Sequence, residues 1–88
     1  MEIRITTRSC TDSQRQQHRF HYYLTVDPVE SDRLCCENYG VRVCEEAGES
    51  CTIPAITTSA ARIDELMTLL VEHQVGPAGL PDVVADWL

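Results

Sequence analysis

Five cysteines, three histidines and one pair of helical aspartates are the residues in this 88-residue chain that could carry chemistry. Cys35, Cys36, Cys44 and Cys51, joined by His18, His21 or His73, are the side-chain types that bind zinc. Their spacing argues against it, because a zinc knuckle takes two thiolates from one turn. If a strand already runs at Cys35, Cys36 and Cys44 stand roughly 26 Å apart at ~3.3 Å per residue. Buried thiols behaving as small apolar side chains are the expected alternative. A Cys/His nucleophile pair needs a base and an oxyanion site as well, and no Gly-rich or strained turn flanks any Cys or Ser. His21 is expected to be a half-exposed strand residue across from Arg42 or Thr52. Asp82 and Asp86, at i and i+4, share one helix face as an acid/base or divalent-metal pair would. A carboxylate near a helix start and a solvated acidic face are the stronger explanation of both. The sequence therefore predicts no catalytic residue, no metal and no cofactor, and the chain is not expected to be an enzyme.

Any such groups must be positioned by a small fold. The length fits one domain spanning residues 1–88, with residues 1–18 an edge strand plus a flexible loop. The apolar share of 43% is that of a folded chain. The formal charge is -7 and unevenly placed. Residues 1–23 carry four Arg against Glu2 and Asp12, a net of +2, and residues 24–88 carry a net of -9. Such an acidic body speaks against direct nucleic-acid binding. The start, Met1-Glu2-Ile3-Arg4-Ile5, is charged and alternating, unlike a signal peptide, and no apolar run reaches membrane-spanning length. These features predict a cytoplasmic protein. Its thiols are then read as free first, metal-bound second and disulfide-bonded last.

Alternation places the strands. Ile3 and Ile5 alternate with Arg4 and Thr6. Residues 9–18 are polar without a period and read as a loop. Phe20, Tyr22, Leu24 and Val26 share one face of a strand that Asp27-Pro28 should end, and residues 29–33 read as a charged turn. Tyr39, Val41 and Val43 form the apolar face of the next strand, and Cys51, Ile53 and Ala55 that of the last. A two-residue turn at Ala47-Gly48 would set Val43 against Thr52. A three-residue loop, Glu46-Ala47-Gly48, sets Val43 against Cys51 and Val41 against Ile53, apolar against apolar, with Gly48 in a left-handed position. The second register is the one expected.

Two helical stripes follow. Ile63, Leu66, Met67, Leu70 and Val71 recur at helical spacing behind a Ser59 or Thr58 cap and run to about His73. Leu80, Val83, Val84, Trp87 and Leu88 repeat the spacing after the Gly76-Pro77 break, in a helix regular only from Leu80 because of Pro81. The fold class is α+β: a three- or four-stranded antiparallel meander followed by two C-terminal helices packed on one face of the sheet.

The strand Tyr22-Tyr23-Leu24, the strand start Tyr39-Gly40-Val41 and the ending Val75-Gly76-Pro77-Ala78-Gly79-Leu80-Pro81-Asp82-Val83-Val84-Ala85-Asp86-Trp87-Leu88 resemble a small uncharacterised protein family of clostridia-like Gram-positive bacteria. The resemblance covers Tyr22 to Leu88 and departs at Gly76 and Gly79. It implies the fold and carries no activity, apart from a structural role for Asp82 at the Gly76-Pro77 break.

With both helices on the Tyr22/Val41/Val43 face, the other face of the sheet is left over. Its residues His21, Tyr23, Arg42, Thr52, Pro54 and Ile56 have the aromatic, Arg and aliphatic mixture of a protein interface. The expected function is a non-catalytic interaction or regulatory domain with a protein partner, a second copy, or both. One alternative is an acidic nucleic-acid mimic presenting Glu37, Glu45, Glu46 and Glu49 to a basic protein. Another is a small metal-binding or Cys-dependent protein.

Overall fold

The computed structural model describes residues 1–30, 35–46 and 48–88. The charged turn expected at residues 29–33 falls mostly outside them. Four strands, β1 (Glu2–Thr11), β2 (Gln17–Glu30), β3 (Cys35–Glu45) and β4 (Ser50–Thr57), precede two helices, α1 (Ala60–Glu72) and α2 (Leu80–Trp87). The sheet is an antiparallel meander in the order β1-β2-β3-β4, and α1 packs over β2, β3 and β4. No helix among the described residues is long and apolar enough to cross a membrane.

The expected architecture is present, with longer strands. Val43 faces Cys51 and Val41 faces Ile53, the register of the three-residue loop. Gly48 is nevertheless not left-handed; its N–H closes a turn onto the Glu45 carbonyl at 3.1 Å. Residues 9–18, expected as a loop, are largely strand, and the β1–β2 connection is only 12–16. The cause is Asp12, whose Oδ1 accepts from the Gln14 and Gln16 amides at 2.9 Å each, while Arg15 takes the left-handed conformation at φ 62°. An Asx turn of this kind closes a hairpin without any hydrophobic signal.

β2 runs through Pro28 because the missing donor faces no strand. The Val26 amide donates toward β1, to Met1 O at 2.8 Å. The Pro28 nitrogen points to the same side, beyond the last β1 pairing, so the β2–β3 ladder loses nothing.

The core lies between the sheet and the helices. Phe20, Tyr22, Val41 and Val43 meet Ile63, Leu66, Met67, Leu70, Leu80 and Val84, all buried. Two local features shape this layer. Gly40 is required where β4 bulges toward β3, since a Cβ there would stand 2.4 Å from the Ile53 carbonyl oxygen and 2.6 Å from Thr25 Oγ1. In the bulge Ala55 is left-handed at φ 55°, and the chain turns so that Ile56 packs against the core. Ala55, expected on the apolar face, is exposed instead.

Ser59 caps α1, accepting from the Arg62 amide at 3.3 Å. The helix ends in a Schellman arrangement: Val75 N–H bonds Leu70 O at 3.0 Å, and Gln74 N–H bonds Val71 O at 3.2 Å. Gln74 occupies the left-handed position, φ 51°, where glycine is usual. Pro81 falls in the first turn of α2, where an amide has no helical partner, so it costs no hydrogen bond.

Candidate functional site

Cross-strand pairing assembles the uncovered face of the sheet row by row. Arg4 pairs with Tyr23, Tyr23 with Arg42, and Arg42 with Thr52. The Arg42 guanidinium lies 5.4 Å from the Tyr23 ring centre and donates to Glu2 at 3.1 Å. The stacked ring and the carboxylate fix the orientation of Arg42, leaving it half-buried. In the next row Thr7 pairs with His21 and His21 with Cys44. His21 is thus across from Thr7 and Cys44, not from Arg42 or Thr52 as expected, because β2 and β3 pair two residues further along. Thr7 Oγ1 and His21 Nδ1 share a hydrogen bond of 2.9 Å, and His21 Nε2 stands 3.9 Å from Glu46.

The expected surface is brought together in part. His21, Tyr23, Arg42 and Thr52 are contiguous, and Pro54 is exposed beyond them. Ile56 does not belong to this surface, because the Ala55 bulge sends it to the core. Glu2, Arg4 and Thr7 do belong; the Ile3/Ile5 alternation marks the first two as facing away from the isoleucines, whereas no apolar period reaches Thr7.

The four glutamates of the acidic alternative are not gathered. Glu37 lies eight residues along β3 from Glu45, about 26 Å at strand rise, and accepts from the Tyr39 hydroxyl at 3.0 Å, which pushes that phenol's pKa up. Glu45 is engaged by His18, and Glu46 by Arg19 at 3.7 Å and by His21. Glu49 is exposed.

His18 bridges the Asp12 turn and the end of β3. Its Nδ1 meets Glu45, and its Nε2 meets Asp12 at 2.8 Å. The two carboxylates hold the imidazolium, so its pKa is raised, by Glu45 above all. The bond from His18 in turn lowers the Asp12 carboxyl. Both ring nitrogens are occupied, which makes this a structural brace and leaves no free base.

Cys10, Cys44 and Cys51 are free, half-buried thiols, and the side chains of Cys35 and Cys36 lie outside the described residues. No group of three or more His, Cys, Asp or Glu side chains among the described residues is placed to hold a metal ion. Asp82 and Asp86 are both exposed on α2, with Asp86 beside a shallow hollow formed with Leu69, Val83 and Trp87.

No curated protein and no solved structure matches the chain. One family model does, over residues 1–88, and on that match the chain belongs to the Family of unknown function (DUF6514).

Proposed function

We propose that this chain is a non-catalytic protein-interaction domain that self-associates through the uncovered face of its sheet, in a bacterial cytoplasm where its thiols stay reduced. The observation that supports this is the row Arg4–Tyr23–Arg42–Thr52 on a face that neither helix covers. Arg42 is held ready by Tyr23 and Glu2, and ordered Tyr and Arg side chains are those that carry interface energy. A second copy suits the charge. In a chain of net -7, this face carries Arg4, Arg19 and Arg42 against Glu2, Asp27 and Glu46. Both signs are present on one patch, the condition for a self-complementary two-fold contact. A domain of this size also gains stability from such burial.

The reading is tested by sedimentation equilibrium of the wild type and of a Tyr23→Ala, Arg42→Ala, Thr52→Asp variant. The wild type is expected as a dimer and the variant as a monomer with an unchanged circular-dichroism spectrum. A wild type that stays monomeric up to millimolar concentration overturns it.

A further inference from the structure

On the opposite side of the sheet, the helix layer leaves a berth open. α1 packs chiefly over β2, β3 and β4, and its side toward the first half of β1 is open. Two adjoining hollows, of about 290 and 320 Å3, share Ile5, Asp64 and Met67 and run as one groove between β1 and α1. α1 contributes two neighbouring rows at i+4 spacing. The inner row, Ile63, Met67 and Val71, is apolar; the outer row is Ala60, Asp64, Thr68 and Glu72. Two parallel i+4 rows are the surface into which a second helix sets its own ridge, with axes roughly 8–10 Å apart. The rows extend over about 18 Å at helical rise, some three turns of a partner helix. The strand side of the groove is Ile5, thrust out by a bulge between Arg4 and Thr6 and 46% exposed, above Leu24.

Charge names the occupant. Asp64 and Glu72 stand about 12 Å apart along the outer row. Neither is in an ion pair among the described residues. Residues 60–88 as a whole carry Arg62 against five carboxylates. Arg8, which pairs with Phe20 and so shares this face of β1, bounds the acidic stretch at one end. We propose that the groove between β1 and α1 receives an amphipathic helix of a partner protein, its apolar stripe seated on Ile5 and Val71 above a floor of Leu24 and Met67, and its Lys or Arg residues opposite Asp64 and Glu72. This surface is separate from the sheet face discussed above, and the two stand or fall independently.

The test uses three fluorescein-labelled designed peptides of about four helical turns titrated with the intact chain and followed by anisotropy. One carries a Leu stripe flanked by Lys and Arg, the second has the same composition scrambled, and the third has Glu in place of each cation. The ordered basic peptide alone is expected to bind. Asp64→Lys with Glu72→Lys, both at exposed positions, should weaken it by at least about tenfold, as loss of complementary charge does. Ile5→Asp should abolish binding, and Thr52→Asp on the opposite face should leave it unchanged. Failure of the ordered peptide to bind, or equal binding of the scrambled one, overturns the proposal. A wild-type dimer that Ile5→Asp converts to monomer also overturns it, by making a second copy the occupant.

Discussion

The Arg62 guanidinium lies 4.6 Å from the centre of the Trp87 ring, joining the first turn of α1 to the last residue of α2. Trp87 is thereby half-buried against the first helix, with Val83 and Leu69 beside it. Arg62→Ala should cost about 0.5–1 kcal/mol, the worth of a cation–π contact at a partly exposed site. Because Trp87 is the sole tryptophan, its emission reports the change directly. A red shift together with a lower melting temperature is expected, and an unaltered spectrum would show that α2 is held without this contact.

Tyr22 is fully buried, yet its hydroxyl donates to the Val75 carbonyl at 3.0 Å, 53 residues away. It ties the centre of the sheet to the turn after α1. Tyr22→Phe should destabilise the fold by roughly 0.5–1.5 kcal/mol in urea unfolding, with the slope unchanged. Burial pushes the phenol from 10.0 up to about 12. The phenol is raised on folding, so its contribution is complete below pH 10 and is lost as pH rises toward about 12. Wild type should therefore lose stability across that alkaline interval more steeply than the Phe variant.

The His18 brace has the opposite partner chemistry and an observable window. Its pKa is raised from 6.5 by Glu45 and Asp12, so its contribution is full below pH 6.5 and fades as pH climbs through the raised value. Asp12 is lowered from 3.8, so its share is present above 3.8 and is lost on acidification below it. The hairpin end should be tightest between these limits. An NMR titration should show His18 losing its proton at higher pH than a free imidazole, and Glu45→Gln should bring that midpoint down. A wild-type midpoint at the free value would mean the bridge does not persist in solution.

Gln74 carries a left-handed conformation that side chains other than glycine resist by roughly 1 kcal/mol. The Schellman bonds around it are otherwise complete. Gln74→Gly should therefore stabilise the chain by about 0.5–1 kcal/mol despite the added freedom of the unfolded state. A fall in melting temperature would place the strain elsewhere.

What could be read from the sequence was whatever repeats at short range. The Phe20–Val26 alternation, the apolar match that chose the β3–β4 register and the two helical stripes all carry their burial in their period. Arg8 to Thr11 carry none, and become strand because β2 offers a ladder and Asp12 closes the turn. A period of two continued through Ala55 puts Ile56 on the uncovered face; the left-handed backbone at Ala55, which no side-chain pattern announces, turns it to the core. The groove was out of reach for the same reason. It depends on the Ile5 bulge and on how far α1 stops short of β1, and neither is a property of one segment.

The bulge at Ile5 also acts on the free margin of the sheet. Ile3 and Thr6 sit across from Leu24 and Tyr22 and so face the same way, though three residues apart. Side-chain parity along β1 is thereby inverted halfway. A chain laid along this edge in regular register would match its outward residues on one half and bury polar ones against apolar on the other. Growth of the sheet through β1 into a ribbon of stacked copies is thus frustrated at its own border.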